Sequence, residues 1–136
     1  MSHIVTIFQS IRDTDTPFFR DVRKILDRIK EGAGETKELV KKIRSEKDKS
    51  QRQELKKLLP AICFSGTFNK RLDASLVEHS GLICLDFDGY TKQKDLLHDK
   101  ENLSKNKYVF SVFISPSGNG LKVLVKIPAD PENHTN

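Results

Sequence analysis

The sequence predicts an α+β domain in which helices flank a mixed or antiparallel sheet. Three observations predict it. Short β-branched or apolar runs occur at 4–8, 61–64, 82–88, 108–114 and 121–127. A segment after Pro17 carries apolar residues at helical spacing, and a long charged stretch beyond it has helical character with too few apolar residues for a buried helix. With 136 residues and 36% hydrophobic content, the chain has enough material for one core without disulfides or a structural metal.

Taken in order, Ile4-Val5-Thr6-Ile7-Phe8 reads as a first strand. Asp13-Thr14-Asp15-Thr16-Pro17 follows as a turn and helix start, with Thr16 as N-cap and Pro17 in the first turn. Phe18, Val22, Ile25, Leu26 and Ile29 then recur at helical spacing until Gly32 and Gly34 end the pattern. A second helical stretch begins near Glu35. Leu39, Val40 and Ile43 lie on one stripe and Leu55, Leu58 and Leu59 on another, but 45–54 contains no apolar residue. A helix polar all round either reaches into solvent or breaks, so a projecting basic hairpin or two short helices is expected, closed by Pro60.

Ala61-Ile62-Cys63-Phe64 reads as a strand and Ser65-Gly66-Thr67 as a turn or bulge. Leu82-Ile83-Cys84-Leu85-Asp86-Phe87-Asp88 is apolar on both faces until its end, which predicts a central strand of a covered sheet, stopped by Gly89. Residues 91–105 read as a weakly patterned helix. Two more strands, 108–114 and 121–127, are joined by Ser115-Pro116-Ser117-Gly118-Asn119-Gly120. The chain turns polar after Pro128, so 1–128 is read as the domain and 129–136 as a tail or the start of a linker.

The formal net charge is +5, and it is unevenly spread. Residues 20–57 hold 14 Lys/Arg against 8 Asp/Glu, a surplus of +6 that leaves −1 for the rest. A helix surface of this kind is ordinarily just solvated, yet it also attracts polyanions. No signal-peptide pattern opens the chain, and no apolar run approaches the roughly 18 residues a membrane span needs. A soluble, cytoplasmic protein with no membrane partner is therefore expected. Cys63 and Cys84 each sit in an apolar run without a second cysteine nearby, which predicts buried, reduced thiols. His3, His79, His98 and His134 are scattered and are expected at surface or loop positions. Lys70 and Arg71 read as a solvated loop, with contact to a phosphate as the alternative.

Two constellations carry chemistry. Side chains alternate along a strand, so Asp86 and Asp88 share a face about 7 Å apart. Two carboxylates at the exit of an apolar strand repel one another unless a cation or donors stabilise them, and Mg²⁺ or Mn²⁺ takes carboxylate and phosphate oxygens together. The plainer alternative is a polar strand end starting a turn at Gly89. The second constellation is the 115–120 loop with Lys122. Gly118 and Gly120 let backbone amides approach an anion, Ser115 and Ser117 add hydroxyls, and Lys122 adds a point charge suited to phosphate. An ordinary exposed hairpin would explain the loop alone. Side by side, the two describe a nucleoside triphosphate bridged to a divalent metal.

In order and spacing, these residues resemble the archaeo-eukaryotic primase-polymerase superfamily, with its D-x-D strand and later S-x-G-x-G strand. Leu58-Leu59-Pro60-Ala61-Ile62-Cys63-Phe64-Ser65-Gly66-Thr67-Phe68, with His79-Ser80-Gly81, is similar to the primase-like domains labelled VirE N-terminal domain, found in mobile-element and phage-like proteins of Bacteroides-type bacteria. The likeness spans roughly residues 55–127. It implies a primase-polymerase-like fold with an RRM-like half, Asp86 and Asp88 as catalytic metal ligands, and Ser115, Ser117, Gly118, Gly120 and Lys122 around the nucleotide. It further implies a single-stranded DNA template, a helicase-like C-terminal region, and two-metal nucleotidyl transfer in a DNA replication protein. Lys122 stands where much of the superfamily has histidine. A third acidic ligand is expected beyond Asn136, so the catalytic core of 1–128 is read as incomplete, and the chain alone is expected to bind nucleotide without synthesis.

Two other readings stay open. Leu85-Asp86-Phe87-Asp88-Gly89-Tyr90-Thr91 is similar to the nucleophile motif of haloacid-dehalogenase-like phosphatases, which would make Asp86 the nucleophile and Asp88 the general acid. Only 48 residues follow Asp88 (136 − 88), little room for that family's remaining parts. The third reading is a non-catalytic nucleic-acid-binding module carried by the basic helices.

Overall fold

The β-branched run near the N-terminus forms β1 (Ile4–Phe8), and four of its five residues are buried. A computed structural model describes residues 3–10, 16–32, 34–68 and 76–127 of the chain. Within them β1 is the middle of an antiparallel sheet, between β2 (Phe18–Asp21) and β3 (Ala61–Cys63).

β2 corrects the expected start of the first helix. Phe18 and Val22 are four residues apart, a spacing that suits a helix, but residues 18–21 instead pair with β1 in the register Ile7↔Phe18 to Ile4↔Asp21. The helix α1 (Val22–Glu31) starts after them. Its N-cap is Asp21, whose carboxylate accepts from Arg23 N at 2.9 Å, and not Thr16. Sheet hydrogen bonds along four residues outweigh a local start signal. Gly32 closes the helix as expected, at φ +69°, with its N–H donating to Arg28 O. The proposed turn at 13–15 lies outside the described residues.

The polar stretch resolves into two short helices, α2 (Gly34–Ser45) and α3 (Lys49–Lys56), the second capped by Asp48. They do not simply project. Ile43 is fully buried, and Arg44 reaches the 115–118 turn.

The turn predicted at 65–67 falls at Phe64 and Ser65, and Gly66 opens a strand. β4 (Gly66–Phe68) pairs with β5 (Leu76–His79) as a two-stranded ribbon. Buried Thr6 joins this ribbon to β1: its hydroxyl donates to Gly66 O at 2.8 Å and accepts from Phe68 N at 2.9 Å. A hydroxyl serving both roles satisfies two backbone groups that the ladder leaves open.

The third sheet has the order β6-β8-β7, from β6 (Leu82–Phe87), β7 (Val109–Ile114) and β8 (Leu121–Lys126), all antiparallel. The predicted helix between them is α4 (Gln93–Ser104), packed against β7. The expected central strand, β6, is an edge of this sheet, and its apolar C-terminal half is open, with Leu85 37% and Phe87 42% exposed. β8 is central instead. Period two puts Leu121 and Val123 on one face and Leu124 on the other, and all three are buried.

The core joins the N-terminal sheet to this one. Val5, Ile7, Val22, Ile25 and Phe64 pack with Leu82 and Leu124. His3 and His79 are buried, against the surface placement expected for them. His3 Nδ1 donates to Ser80 O at 2.7 Å with its ring edge-on to Phe110, and His79 Nδ1 accepts from Gly81 N at 2.9 Å. Through Nδ1 each ring satisfies one backbone group. Cys63 and Cys84 are half-buried where full burial was expected. His134 lies outside the described residues. The described part is thus α+β with antiparallel sheets, and among the described residues no helix is long and apolar enough to cross a membrane.

Candidate functional site

Antiparallel pairing sets Asp86 opposite Lys122 and Phe87 opposite Leu121 on β6 and β8. The chain leaving β6 therefore runs beside the turn between β7 and β8. Ser115 N donates to Gly120 O and Gly118 N to Ser115 O, both at 2.9 Å, with Gly118 at φ +84°, where glycine is favoured. Tyr90 N donates to Asn119 O at 3.0 Å, tying the segment after β6 to the turn.

Gly120 shows how close the two motifs come. A Cβ placed there would lie 2.6 Å from Asp88 Oδ1, 3.0 Å from Phe87 O and 3.1 Å from Ser115 Oγ. Any larger residue would collide with these oxygens, so the glycine is what lets them approach. Ser115 is 7% exposed, and its Oγ has no hydrogen-bond partner among the described residues. Such a hydroxyl is costly to bury, and no group among the described residues takes its proton.

Asp86 differs from its expected setting. The carboxylate and that of Asp88 stand exposed at the strand's end, and Asp86 Oδ1 accepts from Lys122 Nζ at 2.9 Å. The charge of Lys122 is thus directed to Asp86. Cys84 Sγ also lies 4.0 Å from Asp86 Oδ1 as a weak donor. Burial first, then the Asp86 carboxylate, pushes the Cys84 thiol up to about 11 against the opposing effect of Lys122, so it stays protonated at neutral pH.

Among the described residues no three His, Cys, Asp or Glu side chains gather into a metal-holding group. Asp86 and Asp88 alone would supply two carboxylates. Magnesium-type ions are commonly held by one or two carboxylates together with substrate phosphates and water. The donor set, beside the orphaned Ser115 hydroxyl, fits an ion of that class bound with a phosphate, and does not make an all-protein cage.

The structure adds residues that the sequence did not single out. Arg44 donates from Nη2 to Ser115 O at 3.1 Å and from Nε to Pro116 O at 3.3 Å, and its stem lies over Gly118. Arg44 and Arg52 help line an open cleft of ≈ 520 Å³, walled by Tyr90 to Gln93 on one side and by Ser117, Gly118 and Asn119 on another. Tyr90 Oη donates to Asp99 Oδ2 at 2.7 Å, which holds its proton above the ordinary range for tyrosine. The one advance signal was the positive surplus of residues 20–57; nothing local says which arginine meets the turn. Lys70 and Arg71 lie outside the described residues.

No curated protein and no solved structure matches the chain. A model of the family described as BT4734-like, N-terminal domain, matches residues 54–136. The match contains Asp86, Asp88, the whole turn and Lys122, whereas Arg44 and Arg52 precede it. Since it takes in 83 of 136 residues (136 − 54 + 1), more than half of the sequence, this chain belongs to the BT4734-like N-terminal domain family.

Proposed function

We propose that the domain binds a nucleoside triphosphate together with Mg²⁺ or Mn²⁺ and serves as the primase-polymerase-like part of a mobile-element DNA replication protein. Nucleotidyl transfer is the reaction expected where a third carboxylate completes the metal set. The observation that carries this reading is the close approach of Asp88 Oδ1 and Ser115 Oγ over the bare Cα of Gly120. A carboxylate and an orphaned hydroxyl drawn together against a glycine suit a metal-bound phosphate better than they suit a packed hairpin.

Asp86 and Asp88 would hold the cation, which when bound would neutralise phosphate charge and favour attack by a hydroxyl. Ser115 Oγ would donate to a phosphate oxygen, and Ser117 and Gly118 would border the remaining phosphates. Lys122 sits on Asp86 in the free domain, so in this reading the incoming cation displaces it toward the phosphates. Positioning and charge neutralisation are what such a protein contributes to phosphoryl chemistry.

The test is calorimetric titration of a nucleoside triphosphate with and without Mn²⁺, on the wild type and on the Asp86→Asn, Asp88→Asn double variant. Mn²⁺-dependent binding that the double variant loses supports the proposal. Binding equal in both proteins would sink it. Trapping with beryllofluoride addresses the phosphatase alternative, since only an aspartyl nucleophile forms that adduct.

A further inference from the structure

We propose that the cleft between the α2–α3 pair and the 117–119 turn is a seat for single-stranded nucleic acid, with Arg44, Arg52 and Lys92 on its phosphates and Tyr90 against a base. This deepens the preceding proposal, and rests on it only for what the other side of the turn holds.

Charge is the first support. Arg44 is fixed by the carbonyls of Ser115 and Pro116, and Arg52 donates twice to Glu46 O, at 3.1 and 2.6 Å. These are neutral acceptors. Among the described residues neither arginine nor Lys92 has a carboxylate within ion-pair distance, although four lysines elsewhere do. Each guanidinium has five N–H donors and spends two on carbonyls, so it is held in place with donors and full charge left for an anion.

Position is the second. Asp86, Asp88 and Lys122 do not line this cleft, although it shares the turn with them. A metal-bound triphosphate on the carboxylates therefore has no need of it. The cleft is wide and open, and its cations come from α2, α3 and the start of α4. Spaced cations along an open groove suit a backbone of successive phosphates better than one compact anion. Tyr90 supplies a ring on the same wall, steadied by its bond to Asp99. A ring there stacks on an unpaired base, which selects a single strand. Arg44 and Arg52 lie outside the stretch that the family model matches, so strand binding here would be a property of the N-terminal helices.

The test is fluorescence anisotropy of a labelled oligothymidylate with the whole chain in metal-free buffer, across a salt series. Arg52→Gln and Lys92→Gln are each expected to weaken binding about three- to tenfold and to reduce the log–log salt slope by roughly 0.7, the share of one single-strand phosphate contact. Tyr90→Ala is expected to weaken binding at every salt concentration without changing that slope, because a stacked base releases no counterion; Tyr90→Phe keeps the ring and the affinity. Arg44→Gln is compared alongside a melting curve, since that residue also holds the turn. The Asp86→Asn, Asp88→Asn variant keeps strand binding, so failure of the metal-site reading and failure of this one are separate results. Slopes unchanged in both Arg52→Gln and Lys92→Gln overturn the inference. So does displacement of the oligonucleotide by inorganic tripolyphosphate with Tyr90→Ala silent, which would make the cleft a triphosphate seat.

Discussion

Lys122 Nζ lies 2.9 Å from Asp86 Oδ1, between residues directly opposite one another on β6 and β8, and the two side chains are 32% and 52% exposed. A pair this open to water contributes about 0–1 kcal/mol to stability. It has a larger bearing on binding, because a divalent cation approaching Asp86 must compete with the ammonium group. Lys122→Gln is expected to change the unfolding free energy by less than about 1 kcal/mol and to tighten binding of Mn²⁺ alone by up to about fivefold. Urea denaturation and a Mn²⁺ titration check the two halves. Weaker Mn²⁺ binding in the variant would count against Asp86 as a ligand.

Two glycines separate a site effect from a fold effect. At Gly120 an added methyl meets Asp88 Oδ1, the movable end of a side chain, before the firmer Phe87 O and Ser115 Oγ. At Gly66 it runs into the Glu78 carbonyl and the His79 Cα, all backbone of the β4–β5 ribbon. Gly66→Ala is expected to cost about 1–3 kcal/mol or more, as overpacking in a rigid setting does. Gly120→Ala is expected to cost about 1 kcal/mol while displacing the Asp88 carboxylate and abolishing Mn²⁺-dependent nucleotide binding. Melting curves and calorimetry on both variants test this; equal loss of binding in the two, in proportion to stability, would contradict it.

The Tyr90–Asp99 bond gives a pH signature. Ionising Tyr90 would remove its donor and set two negative charges together, which is why its pKa stands above the ordinary 10.0. A pKa raised on folding means that the bond's contribution is fully present below the unfolded value and is lost as pH climbs through the folded one. In a Tyr108→Phe background, where Tyr90 is the remaining one of two tyrosines, phenolate absorbance is expected to rise later than for free tyrosine. Adding Asp99→Asn should bring the midpoint back down toward 10.0. Identical midpoints in the two proteins would show that Asp99 does not hold the proton.

Much of the element order was legible. β1, β7 and β8 announced themselves because side-chain periodicity is local, whereas α4 showed only a weak pattern and the two short helices stood beside a projecting hairpin as alternatives for ten polar residues with nothing to bury. The neighbourhood of the D-x-D strand end and the glycine turn could also be anticipated, since antiparallel pairing of β6 with β8 brings those ends together. Phe18–Asp21 was not legible as a strand, because the spacing of Phe18 and Val22 serves a helix equally well until β1 offers a partner. β5 (Leu76–His79), absent from the sequence reading, exists as the partner of β4 and packs through it on Thr6 of β1.

By itself the sequence determined which residues have the chemistry: two carboxylates one strand-step apart, a serine- and glycine-rich turn, a lysine after it, and a basic segment ahead of them. Only the tertiary structure decided who faces whom. It made β6 an edge and β8 the centre, spent Lys122 on Asp86, buried His3 and His79, and set Arg44 from α2 against the turn. The reason is physical: periodicity and propensity act over a few residues, whereas ion pairing and burial are fixed by contacts between segments as distant in the chain as Arg44 and Ser115.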